Sequence, residues 1–170
     1  MKDKRLPAVL AALLCAVSAA ACGDIGSADP AMSGGEVEYS TEQALSAAEY
    51  TLFVSKQVTS VMGVLTSHAS TGYSVTKGEY PLEDEIANCE SSVKKVQECI
   101  DEVSVMRPAK DYEDARDATL EKMENALNTL ESYQEELGAE SPDFEKLSNL
   151  VDLMKGDFTT LAAQAGTYWR

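Results

Sequence analysis

Between residues 40 and 170 apolar side chains recur at steps of three and four, and three short runs containing glycine or proline interrupt the pattern. That spacing places them on one face of an α-helix. In the first segment Ala44, Ala47, Thr51, Val54, Val58, Val61 and Leu65 form the face. Ser40 and Gln43 in front of it read as a capping box, and Gly72 is the expected stop. Residues 73–80 then connect to Pro81, which suits a first helical turn because its missing N–H would have no partner there. The second segment carries Leu82, Ile86, Cys89, Val93, Val96, Ile100 and Val103, and closes near Arg107-Pro108. A third, from about Ala109 to Leu137, has Leu120, Met123, Leu127 and Leu130 on its seam, with Tyr112, Ala126 and Tyr133 beside it. Gly138 supplies its stop. The fourth opens with Ser141 as N-cap and Pro142 in the first turn. Its stripe is the cleanest: Phe144, Leu147, Val151, Met154, Phe158, Leu161, Ala165 and Tyr168.

Four such stripes joined by short connections are what an antiparallel bundle needs to bury its apolar faces. Alternating apolar and polar runs bounded by turn pairs do not compete. The pattern therefore predicts an all-α protein, an up-down-up-down four-helix bundle over residues 40–170, behind a signal peptide and a flexible linker. The alternative is three packed helices with the first loosely attached or swapped into a neighbour. Up to Gly72 the first segment has only Glu42, Glu49 and Lys56 as charges, and serine and threonine fill much of its outer face. Such a face reads as ordinary surface; deeper burial or a dimer contact are the other readings.

Ahead of the bundle, Met1-Lys-Asp-Lys-Arg5 precedes an apolar run from Leu6 to Ala21, and then Cys22. A charged start, a short hydrophobic stretch and small residues before a cut are the parts of an export signal. Ala19-Ala20-Ala21-Cys22-Gly23 resembles the lipobox of bacterial lipoprotein precursors, in which the cysteine is lipidated and becomes the first residue of the mature chain. Ala20 and Ala21 fit that pattern, and Ala19 stands where the class usually carries leucine. The resemblance covers only the signal. It implies residues 1–21 as a lipoprotein signal peptide, Cys22 as the lipidation site and an acyl anchor in the membrane. Two acyl chains, each gaining about 0.8 kcal/mol per buried CH2, are what stable anchoring requires. The same alanines also read as an A-x-A site for ordinary signal peptidase, which would release a secreted protein. Cys15 follows Leu13-Leu14, too large for a cleavage site, and reads as part of the discarded apolar core. Residues 22–39, rich in glycine, alanine, serine and small acids, form a flexible tether reaching roughly 20 to 25 Å.

The anchor changes the charge picture only slightly. The whole chain carries a net charge of -15, and removing residues 1–21 leaves 11 basic against 28 acidic residues, or -17. Nucleic acid is therefore an unfavourable partner, since affinity for it depends on lysine and arginine neutralising phosphates. The excess acid reads as a soluble surface outside a cell.

Candidate chemistry is sparse. His68 is the only histidine and lies at seam spacing from Leu65; without evident partners it reads as a structural or solvent-facing residue. Cys89 and Cys99 on one continuous helix would stand roughly 15 Å apart, beyond the reach of a disulfide. Cys89 reads as a small core residue and Cys99 as partly exposed, and a helix broken around Ser91-Ser92 is the alternative that would permit a bridge. Asp114, Asp117, Glu121, Glu124, Glu131 and Glu135 form a carboxylate stripe, a solvated face lacking the converging oxygens of a calcium site. Phosphate-loop, dinucleotide and serine-hydrolase signatures do not occur, so no catalytic residue, metal ligand or cofactor-binding residue is assigned, and no cofactor is expected.

The resulting expectation is a lipid-anchored, extracytoplasmic, noncatalytic interaction or ligand-binding module of the bacterial cell envelope, with an envelope protein or small ligand as partner. The alternatives are an envelope enzyme using a carboxylate site in the bundle, and an assembly factor for an envelope complex. Gly23 and Asp24 hint at a single-membrane envelope. In this topology Tyr168, Trp169 and Arg170 share a pole with the start of the first helix; Trp169 either covers the open end of the core there or dips into head groups.

Overall fold

The computed structural model describes residues 45–169. They form four α-helices: α1 (Ala47–Thr76), α2 (Leu82–Val105), α3 (Glu113–Leu137) and α4 (Phe144–Tyr168). Among the described residues there is no strand. Each helix packs on its neighbour in sequence and α4 closes back onto α1, with a lesser diagonal contact between α1 and α3. Short connections make successive helices antiparallel, so the observed fold is the all-α four-helix bundle that the stripes predict. No described helix is long and apolar enough to cross a membrane.

Helix boundaries follow local chemistry, and several differ from the sequence reading. The Ser40–Gln43 capping box lies outside the described residues. α1 is capped at Ser46, whose hydroxyl accepts from the Glu49 amide at 3.3 Å, while Glu49 Oε2 accepts from the Ser46 amide at 2.9 Å. This is the same box six residues later, with a carboxylate that the positive helix end favours. Gly72 does not stop α1. It is buried within the helix, and a Cβ there would stand 2.5 Å from Val151 Cγ2 and 2.8 Å from the Tyr133 hydroxyl. The stop is Gly78, with φ +71°, where the Gly78 amide bonds to Val75 O and the Glu79 amide to Ser74 O. That pair of bonds is a Schellman cap, which needs the left-handed conformation glycine adopts without strain.

Pro81 is the N-cap of α2, one position ahead of the first turn expected for it. α3 begins at Glu113, four residues later than its pattern suggests, because Asp111 turns the backbone to φ +69° and residues 106–112 cross between helices. Met106 and Ala109 of that crossing are buried. Asp143, not Ser141, caps α4, accepting from the amides of Glu145 at 2.9 Å and Lys146 at 3.2 Å. Pro142 therefore precedes the helix. Glu136, from the end of α3, locks this cap: its Oε1 accepts from the Asp143 amide at 2.7 Å and its Oε2 pairs with Lys146 Nζ at 2.6 Å.

The core runs along the expected seams, with Val54, Val58, Leu65, Val96, Met123, Leu130 and Val151 nearly or wholly enclosed. Tyr133 and Ala126 sit at the centre of the α3 face and not beside it. Exposed seam positions lie at helix ends: Phe144 is 50% exposed and Tyr168 43%, and Ala47 at the start of α1 is exposed as well. Polar ties join neighbouring helices at the rim: Gln57 to Glu102, Thr129 to Asp157 at 2.7 Å, and Tyr73 to Asp152 at 2.9 Å.

Candidate functional site

His68 is not solvent-facing. It is 2% exposed, and its two ring nitrogens meet partners from α2. Nδ1 lies 2.7 Å from Glu85 Oε1 and Nε2 lies 2.8 Å from Ser92 Oγ. Glu85 and Ser92 are seven residues apart, two turns of one helix, so both point from the same face. From α3 the Tyr133 hydroxyl donates to the same Glu85 oxygen at 3.1 Å. Gly72, one turn beyond His68 on α1, leaves the space that this hydroxyl occupies.

The bond directions close in a consistent way. The Glu85 carboxylate accepts from Tyr133 and from His68 Nδ1–H; in the tautomer that carries its proton on Nδ1, Nε2 is the acceptor for the Ser92 hydroxyl. Nucleophile, base and orienting acid thus stand in hydrogen-bonded order. Burial, reinforced by the Glu85 charge and hydrogen bond, holds the Tyr133 phenol well above its ordinary range. Tyr133 is therefore a fixed donor. Cys89, one turn from Glu85, has its thiol pushed up to about 12, first by burial and then by that carboxylate, which makes it inert. Glu85 is 1% exposed, whereas Ser92 is only half-buried and is the member of the chain nearest solvent.

A second feature lies at the end of the bundle where α1 begins and α4 finishes. Trp169 is buried, stacked on Tyr112 with ring centroids 5.6 Å apart and edge-on to Tyr50 at 5.9 Å. Its indole Nε1 donates to Thr119 Oγ1 at 3.0 Å, so it covers the open end of the core. Beside it an open cleft of about 490 Å3 is lined by Ala47, Ala48, Thr51, Leu52, Tyr112 and Trp169, among others. Leu52 stands 65% exposed at this cleft. Among the described residues the buried Tyr50 hydroxyl has no hydrogen-bond partner, and burial pushes its phenol up to about 12.

The remaining expected residues fall as follows. Cys22 lies outside the described residues. Cys89 and Cys99 are both free on an unbroken α2, and Cys99 is buried where partial exposure was expected. The α3 carboxylate stripe is exposed throughout, with Arg116 on Asp117 at 2.8 Å and Lys122 on Glu121 at 2.7 Å. Among the described residues no three metal-ligating side chains converge. Sequence reading missed Glu85, Ser92 and Tyr133 as partners of His68. The usable signal was a polar pair at i and i+7 inside an otherwise apolar face. No family model, curated protein or solved structure matches the chain.

Proposed function

We propose that this protein is a lipid-anchored, extracytoplasmic module of a bacterial envelope that binds a small apolar or amphipathic ligand, or the apolar side chain of an envelope partner. The export signal ending at Cys22 supports the location. The binding role rests on one observation: an open cleft of about 490 Å3 with an aromatic wall and an exposed leucine. Concave apolar surface of this size is the usual setting for small-molecule sites.

Trp169 is the only tryptophan and lines the cleft, so its fluorescence tests the reading directly. Titration with an apolar probe such as 1-anilinonaphthalene-8-sulfonate should quench it saturably, and Leu52→Glu should abolish the effect without loss of helix content. Unsaturable quenching, equal in the variant, rejects the cleft as a site.

The second reading is an envelope enzyme. The hydrogen-bonded order Ser92–His68–Glu85 favours it, although its carboxylate serves to orient a histidine and is not a cluster of acids.

A further inference from the structure

We propose that Ser92 is a nucleophile, primed by His68, that accepts acyl groups from small esters. The inference rests on the enzyme reading and gives it a residue and a substrate class. Ser92 Oγ stands 2.8 Å from His68 Nε2, and His68 Nδ1 is held 2.7 Å from Glu85 Oε1. Those distances are within reach for proton transfer and for fixing the ring's tautomer. Tyr133 donates to that same Glu85 oxygen, so two donors fix it, and its bond to Nδ1 keeps the imidazole's Nε2 on the side of Ser92. Accessibility also runs the right way, with the base and acid enclosed and the hydroxyl at the edge of solvent.

Ser91 provides the contrast. It is the preceding residue on the same helix, exposed, and its hydroxyl donates to the Ala87 carbonyl at 3.3 Å. Among the described residues no base touches that hydroxyl. Solvent access alone would therefore favour Ser91, and activation alone favours Ser92.

With an ester, Ser92 Oγ bonds to the carbonyl carbon while its proton moves to His68 Nε2. As the tetrahedral adduct collapses, the bond to the leaving alcohol breaks with its electron pair, and His68 returns the proton to that oxygen. The products are acyl-Ser92 and free alcohol, and water then releases the acid by the same steps. Ser92 is in mid-helix, so its neighbouring amides are spent on the helical ladder and do not hold the oxyanion. The side-chain donors one turn away on the same side are Lys95 and Asn88, both exposed, and the Asn88 amide also donates to the Tyr80 hydroxyl at 3.2 Å. An open surface with side-chain donors suits small, activated esters rather than long or inert ones.

The test is labelling of the full chain with an alkyl fluorophosphonate, whose phosphorus takes the Ser92 oxygen as fluoride leaves. Peptide mass mapping reads both serines in one molecule. General-base assistance should favour Ser92 over Ser91 by about 100-fold. Ser92→Ala should remove the label and Ser91→Ala should retain it. Equal labelling of the two serines, or none, in protein with native helix content overturns the proposal. His68→Gln should lower Ser92 labelling to the Ser91 level; if that variant fails to fold, the comparison within the unaltered chain decides. Hydrolysis of p-nitrophenyl acetate separates the two claims. Release of many equivalents per chain supports the enzyme reading. A burst of one equivalent upholds the reactivity of Ser92 while rejecting an enzyme.

Discussion

At Gly72 the packing leaves no room for a methyl group. Val151 is β-branched and the Tyr133 ring is rigid, so neither yields cheaply to a Cβ at 2.5 and 2.8 Å. Gly72→Ala should lose about 1–3 kcal/mol in urea denaturation despite the better helix propensity of alanine. Gly63 and Gly156 are helical glycines at which a Cβ would meet, apart from the local helix backbone, no described atom within 4 Å, and alanine at either should gain about 0.5–1 kcal/mol in the same assay. At the neighbouring network, His68→Leu should cost about 3–5 kcal/mol, because the Glu85 carboxylate would remain buried with only Tyr133 to satisfy it. Residues such as Val58, Met123 and Val151 were legible because burial of an aliphatic side chain needs only periodicity. Gly72 was not. One letter serves both for a helix stop and for close approach, and the difference is decided by a tyrosine on another helix. His68 was ambiguous for the same reason, since its partners lie 17, 24 and, through Glu85, 65 residues away.

Whole helices were legible and their ends were not. Two stretches offered the S-x-x-E/Q pattern near the start of α1, and Ser46 with Glu49 is the pair that forms the described cap. Ser46→Ala should therefore cost about 1 kcal/mol, read by thermal or urea denaturation. The end of α3 and start of α4 are joined by Glu136, whose carboxyl is held below its ordinary 4.5 by Lys146 and the Asp143 amide. Lys146 is correspondingly raised above 10.5, chiefly by Glu136. A lowered carboxyl adds stability that is present above its unfolded pKa and lost as pH falls through the folded one. A raised lysine adds stability present below its unfolded pKa and lost at higher pH. The joint should thus hold fully between about pH 4.5 and 10.5. The stability gap between the unaltered chain and Glu136→Gln, measured across pH, should close below the lower limit. If the gap persists unchanged at pH 2–3, roughly two units below the ordinary carboxyl value, the ion pair is not what holds this corner.

For the molecule as a whole, a net charge of -15 means that like charges crowd a surface whose ion pairs are mostly exposed. Screening should relieve more repulsion than it weakens attraction, so the melting temperature should rise on adding salt. An anchored form is tested by Cys22→Ser, which should move the protein out of the membrane fraction. The class of fold was readable from four stripes because contacts follow chain order around the bundle. Tyr50, near the start of α1, and Trp169, just after α4, stand with ring centroids 5.9 Å apart, while Gly78 sits exposed at the far side of the α1–α2 connection. What defines such an arrangement is the cyclic order of its helices, with no privileged first member. A permuted gene that begins at Glu79, links residue 169 to Leu45 through a short glycine-rich bridge and finishes at Gly78 should give the same bundle.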